Sequence, residues 1–346
     1  MRFHILFLSA LLSVGSMMSP GQVKPERAKN VILFLADAGG VPTFNAASFL
    51  EYKAPQRLHI QSWPNLGLSD TSPVGSYVSD SANGMTSIVT GVKTRNGVIS
   101  QGPDVVRGKQ DGRTLKTILE YAEERGLKTG VVTGQAITDA TPAACYAHAN
   151  DRGKWGEIFV QAFKPRFGDG VDVLLGGGRE RIAKQLQDLG TSYEKLAAEN
   201  KRPINARLED VAANNMRPIV VADKIDVRAA ALHALNILQK SKNGYFLMVE
   251  WDVHTDDPKA GLEHLIAFDK LAKEIESKVN LKDTLLLFTA DHSFGFQMDG
   301  GSIDEPLLAG YDEWKNSTDK KGNVRLKNVY VNRRHTGEEV AALATG

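Results

Sequence analysis

Short apolar runs rich in β-branched residues alternate along this chain with amphipathic helical stretches. That pattern predicts an α/β fold with a mostly parallel central sheet and helices on both faces. The runs are apolar at nearly every position, as expected of strands covered on both sides. Strands are expected at residues 30–36, 128–133, 171–175, 245–249 and 284–289. Helices are expected at 114–124, 227–240 and 262–279, where apolar residues recur at helical spacing opposite charged ones. Gly126 follows the first of these helices as a C-terminal stop. A single domain over 29–346 accounts for the pattern. Within it the polar stretch 192–223 reads as a cap or insertion, and 316–328 as a charged surface loop.

The composition excludes several classes. Of 346 residues, 42% are hydrophobic and 24% charged, which is globular rather than disordered. The 42 basic and 41 acidic side chains leave a net charge of +1, too little for a broad nucleic-acid or anionic-membrane footprint. Arg2 precedes an apolar run at 5–12, followed by Ser13, Gly15, Ser16 and Pro20. This is the form of a secretory signal peptide over 1–20 and implies a periplasmic or secreted protein. The run is too short to span a bilayer, and no later segment is long and apolar enough for stable membrane insertion. Cys145 is the sole cysteine, so no internal disulfide forms.

The chemistry is concentrated at the strand ends. Asp37 follows the first apolar run, Glu250 the fourth, and Asp291 with His292 the fifth. One aspartate after a strand is ordinarily a turn former or helix cap. Several, at the carboxyl ends of parallel strands, converge where such sheets bind ligands. Clustered carboxylates repel unless a cation neutralises them, so a metal site is the economical reading. His254, close to Asp252, Asp256 and Asp257, joins His292 and His335 as a zinc candidate. The other histidines, His4, His59, His148, His233 and His264, are assigned no chemistry. An oxygen-only set that includes a hydroxyl would suit magnesium instead.

A nucleophile is suggested by residues 78–86 (VSDSANGMT), where Ser81 would open a short helix closed by Gly91. A helix N-terminus favours a bound anion, although Asp-Ser ahead of a helix is also an ordinary cap. A serine hydroxyl needs a base or a metal to become nucleophilic. The planar fork of Arg152 suits two phosphate oxygens.

Six segments, in order, resemble the bacterial alkaline phosphatases: 30–40 (NVILFLADAGG), 78–86, 137–152 (ITDATPAACYAHANDR), 246–254 (FLMVEWDVH), 289–294 (TADHSF) and 335–339 (HTGEE). The resemblance implies a metal-dependent hydrolase of small phosphomonoesters that works through a phosphoserine at Ser81, with Arg152 holding the substrate phosphate. It implies two zinc ions and a magnesium ion. Asp37, Asp291 and His292 match the ligands of one zinc, with Asp37 shared with magnesium, and His254 and His335 match those of the other. Asp139 and Thr141 match the magnesium side, and a homodimer is the usual assembly.

Around Glu250 the family's spacing is compressed, and two registers are open. In one, Glu250 serves magnesium while Asp252 or Asp256 accompanies His254. In the other, which we favour because it needs no rearrangement around His254, Glu250 pairs with His254 and magnesium lacks a ligand. Asn83 and Met85 replace smaller residues beside the nucleophile and are expected to reshape the pocket. The chain ends eleven residues after His335, where relatives usually continue, and if it is a truncated product the last strand is expected to be weakly anchored. The Cys/Ser-x-Pro-x-Arg pattern of sulfatases is absent after Ser81. A phosphodiesterase of the same superfamily and a noncatalytic zinc- or phosphate-binding relative are the alternative readings.

Overall fold

The computed structural model describes residues 27–317 and 322–346. The leader expected at 1–20 lies outside them. Twelve strands are described: β1 (Asn30–Asp37), β2 (Asn65–Ser69), β3 (Lys128–Ala136), β4 (Val173–Gly177), β5 (Ile204–Asn205), β6 (Ile219–Val221), β7 (Tyr245–Asp252), β8 (Thr284–Thr289), β9 (Ser293–Met298), β10 (Val324–Arg325), β11 (Val329–Thr336) and β12 (Val340–Thr345). The helices are α1 (Val41–Tyr52), α2 (Ser81–Thr90), α3 (Ile118–Glu124), α4 (Ala140–Tyr146), α5 (Trp155–Gln161), α6 (Arg179–Asp188), α7 (Tyr193–Asn200), α8 (Val227–Leu238), α9 (Pro258–Glu276) and α10 (Tyr311–Asn316).

Nine strands form the main sheet in the order β2-β12-β8-β1-β7-β3-β4-β6-β5. From β8 to β5 every pairing is parallel, and β12 runs antiparallel between β8 and β2. The expected α/β architecture is therefore present. Alternation along β1 explains the layers, because successive side chains leave opposite faces. Ile32, Phe34 and Ala36 pack with Ala234 of α8 and Leu265 and Phe268 of α9. Leu33 and Leu35 join Met85 of α2, Ala143 of α4 and Ile158 of α5 in the opposite core. Burying side chains of this size contributes about 1.5–3 kcal/mol each before entropy is counted.

All five expected strands are present, and helix starts differ where caps intervene. Thr117 accepts the Glu120 N–H while the Glu120 carboxylate accepts the Thr117 N–H, so α3 begins at Ile118 rather than at 114. Asp257 caps α9 and Pro258 occupies its first turn, which starts that helix ahead of the expected 262. The stretch 192–223 supplies α7 and the last two strands at one side of the sheet, β6 and the edge strand β5. Within 316–328, β10 pairs with β11. β12 pairs with both β8 and β2, so the last strand is anchored on both edges, contrary to the expectation of weak anchoring.

At the starting ends of β3 and β4 lies an acidic group, Glu123, Asp169 and Asp172, in which Lys128 and Arg217 pair with the two aspartates. Burial, then Asp172 and Asp169, push the Glu123 carboxyl up to about 7 even though it accepts a hydrogen bond from Thr129. Between its ordinary value of 4.5 and about 7, the folded chain therefore binds a proton that the unfolded chain has released. This contribution favours folding at low pH and is lost as pH rises through that window. Urea unfolding midpoints of wild type should fall more between pH 5 and pH 8 than those of Glu123→Gln, and equal slopes would remove Glu123 as the cause.

Candidate active site

Four neighbouring parallel strands, β8, β1, β7 and β3, end at one edge, and the candidate residues stand there. Asp37 closes β1, with its Cα opposite that of Asp252 on β7. Glu250 lies between Leu35 of β1 and Thr133 of β3. Asp291 and His292 follow β8 after Ala290 and lead into β9. Ser81 is the first residue of α2, whose N-cap is Asp80 and whose end is Gly91 in the left-handed conformation, matching the expected short helix.

The Ser81 Oγ lies 3.3 Å from His292 Nε2 and 3.5 Å from Asp37 Oδ1. The same Asp37 oxygen is 3.4 Å from His292 Nε2 and 3.8 Å from His254 Nδ1. His335 arrives from the second sheet, whose order is β10-β11-β9. Its Cα faces Phe294, and a register shift after Val331, where Arg333 takes a positive φ of 51°, turns the strand end toward the site.

Each of the three imidazoles has an acceptor at Nδ1: the Ser79 carbonyl for His335, the Ser293 carbonyl for His292 and the Asp252 carboxylate for His254. With Nδ1 engaged in this way each ring offers Nε2 to the site: the Nε2 atoms of His254 and His335 are 3.4 Å apart, and that of His292 meets Ser81 Oγ. Ligand atoms of His254, His292 and His335 lie within 4.8 Å of one another, as do those of Asp37, Asp291 and His292. Residues more than two hundred positions apart are thus brought together, as the strand-end reasoning expected.

The electrostatics concentrate buried negative charge at this edge. Burial, then the charge of Asp37, raise the Asp291 carboxyl to about 6 and push Glu250 well above the usual range. Burial also opposes charge on Asp37, but His254, His292 and Arg152 hold its carboxyl well below the usual range. His254 is raised to about 10, the Asp37 charge and the Asp252 hydrogen bond overcoming burial. His335 is lowered to about 4 by burial and the neighbouring His292. Asp291 Oδ2 is buried with no hydrogen-bond partner. Imidazole nitrogens beside carboxylates fit zinc, and this orphaned oxygen is what a ligand looks like without its ion.

Arg152 donates to Asp139 at 2.7 Å and to Asp80 at 3.3 Å, so its fork is held from two sides. Asp139 also caps α4, and Thr141 is buried in the first turn of that helix. Glu250 accepts a hydrogen bond from Thr133 Oγ1 and does not stand with His254, whose ring meets Asp252 at 2.8 Å. The favoured register, pairing Glu250 with His254, therefore differs from the structure. Period two along β7 sends both carboxylates to one face, and the strand continues through Asp252 before the chain turns to His254.

Asn83 and Met85 do not line the pocket. Met85 is buried in the core. Asn83 donates to the Thr71 carbonyl and Ser79 Oγ and accepts from the Thr94 N–H, knitting together the loops around Ser81. Sequence reasoning also missed Thr133, Gln135, Asp80 as a partner of Arg152, and Gly84. Thr133 carried no signal, because a threonine in a strand is unremarkable.

The chain matches the family described as Alk_phosphatase, alkaline phosphatase, over residues 28–202 and 226–345, and it belongs to that family. The unmatched interval includes the strand β6 at the far side of the sheet. Alkaline phosphatase 4 of Bacillus subtilis (strain 168) is 27% identical, covering 98% of this chain and 79% of the relative. Alkaline phosphatase 4 of Drosophila melanogaster is 26% identical over 80% of this chain and 58% of the relative. The Thermus thermophilus alkaline phosphatase structure shares the fold, with a TM-score of 0.73, 21% identity and coverage of 97% and 90% of the two chains. That from the Antarctic bacterium TAB5 has a TM-score of 0.71 at 24% identity, covering 93% of this chain and 92% of that one.

Gly84 explains how α2 approaches the β8 strand end. A Cβ there would sit 2.2 Å from the carbonyl oxygen of Asp291 and 2.8 Å from the Cβ of Asp291, closer than atoms pack, so one of the two segments would have to shift. Gly84→Ala should push α2 and Asp291 apart, costing about 1–3 kcal/mol in urea stability. The same shift should separate Ser81 from Asp291 and lower phosphatase turnover. A variant with wild-type turnover and stability would show that the close approach is dispensable.

Proposed function

We propose that the protein is a metal-dependent phosphomonoesterase acting through a phosphoserine at Ser81. The observation that carries this reading is the convergence of one buried hydroxyl, at a helix N-terminus, with two zinc-type ligand groups that share His292, one of them completed by His335 from the second sheet. Asp37, Asp291 and His292 would hold one zinc, and His254 and His335 a second. Asp37, Asp139, Thr141 and Glu250 supply oxygens suited to magnesium. Bound cations would offset the buried negative charge and favour the alkoxide form of serine over the hydroxyl.

The protein's own groups then have defined tasks. Ser81 Oγ attacks phosphorus, forming the phosphoserine as the alcohol leaves, and water later releases inorganic phosphate. The Arg152 fork, its charge felt at Asp37, receives the nonbridging oxygens, while Asp80 and Asp139 keep it from swinging into solvent. The positive end of the α2 dipole would favour the same anion, although Asp80 already takes the N–H groups of Asn83 and Gly84. We further propose export, on the strength of the leader-like residues 1–20, and a homodimer by analogy with the family. Among the described residues no helix is long and apolar enough to cross a membrane.

Ser81→Ala should lose several orders of magnitude in aryl-phosphate turnover and trap no phosphoenzyme, with zinc content unchanged. Wild-type turnover in that variant would refute the nucleophile, and a methyl phosphodiester hydrolysed faster than the monoester would favour the diesterase reading. Chelation should abolish activity and lower the unfolding temperature, with both restored by zinc. Activity and melting that ignore chelation would remove the metals from the mechanism.

A further inference from the structure

At the end of β7 four acidic side chains stand within eight residues, Glu250, Asp252, Asp256 and Asp257, and each has a partner. Glu250 is occupied by Thr133. Asp256 faces Arg333 at 3.3 Å. Asp257 caps α9 and is held by Tyr311 and Lys315. Asp252 is the remaining carboxylate, and both of its oxygens are engaged. Oδ1 accepts the backbone N–H of His254 at 2.9 Å and bonds the ring Nδ1 of the same residue at 2.8 Å. Oδ2 accepts from the side-chain amide of Gln135, two residues beyond Thr133 on β3. No Asp252 oxygen joins the described clusters in which ligand atoms lie within 4.8 Å of one another, whereas His254, His292 and His335 form one.

We infer that Asp252, anchored by Gln135, is a positioning residue for His254 rather than a metal ligand, and that the cation site between His254 and His335 is furnished by imidazoles without a carboxylate. The inference rests on the metallophosphatase reading above. A carboxylate on Nδ1–H fixes the tautomer, aims the ring and makes Nε2 a stronger donor. The neighbouring centre has Asp37 and Asp291 as well as His292. The two centres therefore differ in charge, and the imidazole centre binds zinc more weakly and discriminates more strongly against magnesium.

Zinc binding to the full chain, measured by competition with a chromophoric chelator, tests this without recourse to activity. Wild type should take up zinc in a tighter and a weaker class of site. Asp252→Asn keeps an oxygen that can accept the Nδ1–H, so it should retain both classes, the weaker within about tenfold of wild type. Asp252→Ala should loosen that class by about 10–100-fold and Gln135→Ala by less, with the tighter class unmoved. In the zinc-loaded protein an imidazole Nδ1 proton assigned to His254 should appear in wild type and Asp252→Asn and be lost to exchange in Asp252→Ala. Loss of one zinc equivalent from Asp252→Asn, as from His254→Ala, would make Asp252 a ligand and overturn the inference while leaving the metallophosphatase reading intact. Wild type that binds fewer than two equivalents would overturn both. Unfolding temperatures of the metal-free variants distinguish these results from misfolding.

Discussion

Like charge confined at one sheet edge is the constraint around which this molecule is organised. Asp37, Glu250 and Asp291 are all buried where adjacent strands leave the core. At an effective dielectric near 20, a like-charged pair about 4 Å apart costs roughly 4 kcal/mol. Burial first, and that repulsion second, raise the carboxyls of Glu250 and Asp291, while the depressed Asp37 reports the two imidazoles and the guanidinium beside it. A fold that needed only stability would not retain such an arrangement. Nearby features serve the same concentration of charge: three histidines whose Nδ1 atoms are occupied, an arginine tethered from two sides, and a serine at a helix N-terminus.

Much of this was legible because strand ends are a sequence-level feature. An apolar run of five or six residues that stops at an acid fixes both the strand and the side of the sheet on which the acid emerges. That logic found Asp37, Glu250, Asp291 and His292 from positions scattered along the chain. The Asp80-Ser81 pair followed by Gly91 likewise outlined α2. Helix starts were less accessible, because the Thr117 capping box and Pro258 act through individual bonds that periodicity does not register.

The misread positions share a cause: their meaning depends on which way a side chain points. Asn83 and Met85 sit beside the nucleophile in sequence yet project into loop and core. Glu250 and Asp252 differ by one strand period, and spacing alone could not decide which of them meets His254. Thr133 and Gln135, on the adjacent strand, settle the matter by occupying one carboxylate each. The arrangement at the end of β7 is coherent because the neighbouring strand β3 supplies a hydrogen-bond donor to each carboxylate.

The bond from His335 to the Ser79 carbonyl also has a dynamic meaning, since it joins the three-stranded β10-β11-β9 unit to the loop preceding Ser81. Small sheets of this kind open as separate cooperative units at lower free energy than a nine-stranded core. Each such opening would carry one imidazole away and release the nucleophile loop while the main sheet stays folded. Amide exchange in the β9 and β11 segments would then keep time with disassembly of the reactive centre.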